Sequence, residues 1–229
     1  MKKRIRIQGM LIVFSILLAF ILYNLGLPHW KDERLDKILD FLGVGFILTG
    51  FVFRIAARGY KEEKSLSGNA LVMDGPYALM RNPMYFGTLL IGTGFVAVLL
   101  EWWALILFLF IFGLIYTPQV RKEEAVLTER FGQVYKDYCK DTPRYLPKLS
   151  RIFVLRKYLR LKFAWLKMEW QSLTAATICL IVIEAWEDFT FFGRQGLWRK
   201  TAELTIAMAV FALILTLLFA TNKKQPPSS

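Results

Sequence analysis

This chain of 229 residues has one histidine and two cysteines. Those counts remove several kinds of chemistry at once. Two cysteines cannot frame a disulfide scaffold, and Cys139 and Cys179 fall in a basic stretch and an apolar run, so both are expected reduced. One histidine and two scattered thiols make no zinc site, and neither cysteine has the His and Asn or Asp company of a nucleophile. His29 lies beside Trp30 at the end of an apolar run, a placement that an interfacial aromatic belt explains. The chain also lacks strand-like alternation, an internal repeat and a nucleotide-binding glycine loop. Gly92-Thr-Gly94 lies within an apolar run with no strand before it, and close helix packing accounts for it.

Hydrophobic residues, by contrast, make up 55% of the sequence and are gathered into runs. These are Met10–Leu27, Ile38–Ala57, Met84–Leu100, Trp102–Tyr116, Leu173–Ala185 and Ala202–Ala220. Most approach the roughly 20 residues that carry a helix across about 30 Å of hydrocarbon. Only helices and closed barrels satisfy their backbone in lipid, and barrel alternation is missing. The expected fold is all-α, a multi-pass helical membrane protein of about six transmembrane helices. The first run follows a basic start (Lys2, Lys3, Arg4, Arg6) but is too long for a signal-peptide core, so it reads as an uncleaved span. The Leu173–Ala185 run is the weakest, being short and carrying Glu184.

The net charge of +12 does not point to nucleic acid. Threading six spans puts its clusters, at Met1–Arg6, Arg58–Lys64 and Arg121–Lys167, on one side, which the positive-inside rule makes cytoplasmic together with both termini. That surface should also attract anionic membrane lipids. Three parts follow. Residues 1–65 hold an N-terminal pair of spans, residues 66–148 a hairpin with a cytoplasmic helix, and residues 149–229 a basic amphipathic stretch, a C-terminal pair of spans and a disordered tail. Ser67-Gly-Asn69 reads as a turn in the connector, and Glu101-Trp-Trp as the turn of the hairpin.

Polar residues concentrate at one mouth of that hairpin. Gly75-Pro-Tyr-Ala-Leu-Met-Arg-Asn-Pro-Met-Tyr-Phe-Gly87 runs directly into the third apolar run. Arg121-Lys-Glu-Glu-Ala-Val-Leu127 stands where the hairpin returns. Asn82 and Pro83 suit a helix start, as N-cap and first helical residue, with Arg81 reaching to headgroups. That account leaves the gathering of Tyr77, Arg81 and Tyr85 unexplained, and a helix N-terminus also favours a ligand carboxylate. Thr117–Lys140 is expected to continue the fourth span as a helix, kinked near Pro118 and ended by Asp141-Thr-Pro. At about 100° per residue, Val120, Leu127, Phe131, Val134 and Tyr138 share one stripe, with Glu123 and Glu124 flanking it. Lys122, Glu129, Gln133, Lys136 and Lys140 cover the solvated face. Acids at the edge of a buried stripe need partners, either Arg81 or Arg121 as an anchor, or a polar or cationic ligand.

The blocks Asn69-Ala-Leu-Val-Met-Asp-Gly-Pro-Tyr77, Arg81-Asn-Pro-Met-Tyr-Phe-Gly87, Glu123-Glu-Ala-Val-Leu127, Phe131-Gly-Gln-Val-Tyr135 and Pro143-Arg-Tyr-Leu-Pro147 recur in an order that resembles the isoprenylcysteine carboxyl methyltransferase and phospholipid methyltransferase family. The resemblance covers about Leu66–Lys148. It implies an integral-membrane methyltransferase that uses S-adenosylmethionine in a cytoplasmic pocket and takes a lipophilic acceptor from the bilayer. Carried over by position, Asn69, Leu71, Val72 and Tyr77 would line the adenosyl part of that pocket. Asn82, Pro83, Met84 and Tyr85 would meet the methionine end, with Glu123 and Glu124 on the other side. Arg81, Glu123 and Arg144 are the candidates for catalytic roles, Arg144 through the acceptor. In two places the sequence departs from the family pattern. Asn82 stands where relatives often have His, which removes an acid/base role but not hydrogen bonding. Gln119 stands where an Arg often meets a substrate carboxylate.

Two other readings compete. A membrane sterol-type reductase using NADPH shares an Arg-x-Pro-x-Tyr-x-Gly motif, but such enzymes usually place an acid after the glycine, where this chain has Thr88. A transporter or scaffold would carry ionisable groups at mid-span. Arg54, Glu101, Glu184 and Glu203 all read as near span ends, in interfacial surroundings.

Overall fold

A computed structural model describes residues 33–65, 69–99, 102–148, 150, 158–159 and 161–178. The expected first and sixth spans, His29, the Ser67–Gly68 turn, Glu101, Cys179 and the C-terminal tail lie outside them. The described residues are helical throughout their regular parts. Helix α1 is Glu33–Lys64, α2 the single turn Pro76–Leu79, α3 Pro83–Leu99 and α4 Trp102–Asp141. A further helix, α5, covers residues 163–178. It begins inside the expected amphipathic stretch and runs into the expected fifth span. Phe41–Lys64 and Trp103–Asp141 are long and apolar enough to cross a membrane, and Pro83–Val98 is a shorter apolar helix. Ile38, Phe41 and Phe46 on α1, and Ile106, Phe110 and Leu114 on α4, are exposed on the outside of the group.

The helix α3 is the middle of the three, and its two faces have different partners. Gly87 and Gly94, two turns apart, face Gly50 and Gly43 of the antiparallel α1. A Cβ on Gly50 would stand 2.6 Å from the Gly87 carbonyl oxygen, and one on Gly94 would stand 2.4 Å from that of Gly43. Backbone therefore meets backbone, at a distance only glycine permits, as small residues allow between apolar helices. On the opposite face, Gly92 admits the Phe108 ring of α4, and Tyr85 meets Tyr116 edge-on with ring centroids 5.3 Å apart. The packing role read from Gly92 and Gly94 is thus observed. Gly50→Val is expected to lower stability by about 1–3 kcal/mol through overpacking. Gly45→Ala, with nothing within 4 Å of its Cβ, should stabilise the helix by about 0.5–1 kcal/mol. Thermal midpoints in detergent would separate the two.

The α4 helix ends at Asp141, as Asp141-Thr-Pro predicts. Pro118 lies within it, and the helix has a further interruption that the sequence does not announce. The non-helical residue is Gly132, at φ 54° and ψ −125°. That positive φ, open to glycine, resets the helical phase. The expected stripe consequently breaks after Phe131. Val134 is 58% exposed, while its neighbour Tyr135 is buried. Val120 holds its expected buried place, and Lys122, Glu129, Gln133, Lys136 and Lys140 are exposed as expected.

Beyond α4 the chain folds back on the Gly75–Asn82 knot. The Arg81 amide donates to the Pro143 carbonyl at 2.9 Å, and the Lys148 amide to that of Leu79 at 3.0 Å. Leu79 and Met80 are fully buried beneath it.

Candidate functional site

The knot between α1 and α3 lies along α4, and several turns of α4 hold different parts of it. Glu123 accepts the Tyr85 hydroxyl at 2.6 Å. Glu124 accepts the Asn82 amide at 3.2 Å. Arg130 donates to Asn69 Oδ1 at 2.8 Å, Tyr138 to the Tyr77 carbonyl at 2.6 Å, and Arg81 Nη1 to Cys139 Sγ at 2.9 Å. The two polar clusters at the hairpin mouth therefore form one assembly. It is fixed on one side by the Gly75 turn, whose φ of 58° leads into Pro76 and Tyr77.

The neighbouring acids Glu123 and Glu124 differ in what they are free to do. Glu124 is buried. Its Oε2 takes Nε and Nη2 of Arg144 at 2.9 and 2.8 Å. Its Oε1 takes Asn82 and lies 3.4 Å from Arg81 Nη1. The hydrogen bond to Glu124 lifts the Arg144 guanidinium above its ordinary value. Glu124 is thus the hub that ties α4, the helix start and the closing segment together, the anchoring role in a form that adds Arg144 and leaves out Arg121. Asn82 stands at the N-cap position, and its carbonyl accepts the Tyr85 and Phe86 amides at 3.1 Å. Its side-chain amide is used across the hub instead of as a cap, reaching Glu124 and the Arg144 carbonyl at 3.2 Å. Arg81 Nε is buried and has no hydrogen-bond partner among the described residues.

Glu123 is half-buried. Both of its hydrogen bonds, from Tyr85 and from Gln119 Nε2 at 3.1 Å, fall on Oε1. Oε2 is left without one among the described residues. Tyr85, Tyr116 and Val120 form a buried apolar floor beneath it, with Phe112 against them. Leu71, Val72 and Met84 are half-buried, Pro83 is buried, and Asn69 is exposed. The expected residues therefore fall into two adjoining groups. Arg81, Asn82, Glu124 and Arg144 form a closed hub, and Tyr85, Gln119 and Glu123 an open one. Asn69 and Tyr77 are bound further along α4. Among the described residues no group of three or more His, Cys, Asp or Glu could hold a metal ion.

One cluster escaped the sequence. Arg54, expected in interfacial surroundings, is buried and pairs with the fully buried Glu169 of α5 at 2.9 Å. It also donates through Nη1 to Thr88 Oγ1 at 2.7 Å. An arginine inside an apolar run was the available signal, since a buried charge needs a partner. Nothing in the sequence singled out Glu169 as that partner.

The described residues are all helical in their regular parts, and two of the helices are long and apolar enough to cross a membrane. The sequence model of the phospholipid methyltransferase family matches residues 10–134, more than half of the chain, and the chain belongs to that family. The match takes in α1 and the blocks from Asn69 to Leu127, ends one residue short of Tyr135 and leaves out Pro143–Pro147 with Arg144. Among curated relatives, the cobalt-zinc-cadmium resistance protein CzcN of Cupriavidus metallidurans is 29% identical over 142 residues, 60% of this chain and 63% of that protein. The nickel-cobalt-cadmium resistance protein NccN of Alcaligenes xylosoxydans xylosoxydans is 26% identical over 141 residues, 61% of this chain and 62% of its own. The protein-S-isoprenylcysteine O-methyltransferase of Schizosaccharomyces pombe is 29% identical over 137 residues, 56% of this chain and 58% of its own. The chain thus spans about three fifths of the length of the curated relatives it matches. No solved structure matches.

Proposed function

We propose that the protein is a multi-pass membrane methyltransferase that moves a methyl group from S-adenosylmethionine to a lipophilic acceptor. The donor would sit where the Gly75–Tyr85 knot meets α4, on the cytoplasmic side. The observation that carries this reading is the division between the paired acids. Glu124 is consumed by protein partners, whereas Glu123 keeps one oxygen open above an aromatic floor. A half-buried carboxylate beside aromatic rings suits a cationic ligand. The donor carries a zwitterionic amino-acid end, and the open oxygen of Glu123 has the sign to meet its ammonium group. Asn69, Leu71, Val72 and Tyr77 would face the adenosyl part, and Pro83, Met84 and Tyr85 the methionine part.

When bound, the donor supplies an electrophilic methyl on a sulfonium whose leaving thioether needs no proton. The protein's task is then to position the reactants and to exclude water, and good orientation can recover roughly 7–11 kcal/mol of a barrier. The hub of Glu124, Arg81 and Arg144 holds the closing segment against the helix start. Tyr85 and Gln119 orient Glu123.

The acceptor would reach this mouth laterally from the bilayer. A lipid amine, thiol or hydroxyl fits better than a carboxylate. Gln119, in the place of the arginine that often meets one, donates to Glu123. Arg81 and Arg144 are engaged by Glu124, and Arg121 lies about 200° around α4 from Glu123.

Calorimetric titration of the detergent-purified chain tests the donor. S-adenosylhomocysteine is expected to bind and NADPH is not. Binding of NADPH alone would replace this reading with the reductase. A lipid that gains one methyl group in overexpressing cells, followed by mass spectrometry, would identify the acceptor.

A further inference from the structure

Past residue 134, where the family match ends, the chain packs against the core from the α1 side. Glu169 of α5 is fully buried. It accepts Arg54 Nε at 3.3 Å and Nη2 at 2.9 Å on Oε2, and Arg58 Nη1 at 2.9 Å on Oε1. Arg58 also reaches the Met168 carbonyl at 2.6 Å. Buried ion pairs of this kind are seldom more stabilising than apolar residues of the same volume, so stability is a weak reason for this one.

What the network does besides is reach the site. Arg54 Nη1 donates to Thr88 Oγ1, and the Thr88 hydroxyl donates to the Met84 carbonyl at 3.0 Å. A continuous chain of hydrogen bonds therefore runs from α5 through α1 to the first turn of α3, which carries Met84 and Tyr85. A second line runs through Trp165, which is 3% exposed. Its ring lies 5.4 Å from that of Tyr60, and its Nε1 donates to Glu63 at 2.9 Å. Tyr60 in turn walls the Gly75 turn, where an added Cβ would come within 2.6 Å of its ring. Both backbone elements that present the knot to α4 are thus braced from behind by one helix.

Resting on the site reading above, we infer that Glu169 is a positioning residue. It holds the first turn of α3 at its working distance from Glu123 through Arg54 and Thr88, and α5, beyond the family match, is a working part of the site. The test uses the full chain in detergent, with thermal midpoint and S-adenosylhomocysteine affinity measured on each variant. Arg54→Met/Glu169→Met removes the buried pair and leaves the partly exposed Arg58 on the Met168 carbonyl, and Thr88→Val cuts the line to α3 while leaving the Arg54–Glu169 pair intact. Both are expected to keep the wild-type midpoint and to bind S-adenosylhomocysteine about tenfold more weakly, a 1.4 kcal/mol change. A merely structural brace would lower the midpoint and leave affinity alone. Wild-type affinity in Thr88→Val overturns the inference, including the case in which the double variant does not fold. If the wild-type chain itself binds no S-adenosylhomocysteine, it is the donor reading that fails. Wild-type binding that neither variant weakens rejects only the role of α5.

Discussion

Glu124→Ala is expected to be among the most damaging single substitutions in the described part of the chain, at about 3–5 kcal/mol. The carboxylate is 6% exposed and answers two guanidinium groups and an amide. Its removal leaves Arg81, itself largely buried, with a charge and no carboxylate beside it. Arg144 would lose its hydrogen bond and ion pair to Glu124, and with them the hold on the segment that covers the knot. Because the Arg81 amide and the Pro143 carbonyl are also joined, the closing segment and the helix start should loosen together. Thermal unfolding in detergent, with limited proteolysis around residues 142–148, would show both effects. Glu124→Gln retains the volume and one acceptor oxygen and should fall between alanine and wild type. An unchanged midpoint for the alanine variant would mean that the hub contributes little to the fold.

Much of this arrangement was legible in the sequence because apolar runs and helix-breaking residues are local signals. The α3–α4 hairpin, the end of α4 at Asp141-Thr-Pro, and the gathering of Tyr85 with Glu123 all follow from them. The exposed face of Lys122, Glu129, Gln133, Lys136 and Lys140 follows from helical periodicity alone. Periodicity failed where the backbone left the helix. Gly132 inside a helical pattern gives no sign that its φ is positive, so the wheel carried Val134 inward and overlooked Tyr135. The different fates of Glu123 and Glu124 were hidden for another reason. The wheel places them symmetrically, and what separates them is Arg144, brought back from beyond the end of α4. Glu169 was the least legible, since it gains meaning only once α5 packs on α1. Long-range pairings of this kind depend on the fold itself, and the local pattern around each partner is uninformative.

Glu123→Gln carries the second large effect, and it should appear in binding while the fold is left intact. Glutamine keeps the shape and can still accept the Tyr85 hydroxyl and the Gln119 amide through one oxygen. What it loses is the negative charge at the open position above the Tyr85, Tyr116 and Val120 floor. A hydrogen bond to a charged group is typically worth about 1.5–3 kcal/mol. The proposed donor should therefore bind roughly 10- to 150-fold more weakly, with a thermal midpoint near that of wild type. Tyr85→Phe provides the partner for a double-mutant cycle. If the tyrosine acts by orienting the carboxylate, its removal should weaken binding in the wild-type background and matter much less once Glu123 is Gln. Additive losses would mean that Tyr85 meets the ligand independently of Glu123. Unchanged S-adenosylhomocysteine affinity in Glu123→Gln would take that carboxylate out of the site. It would also leave the asymmetry of the two acids as a feature of packing alone.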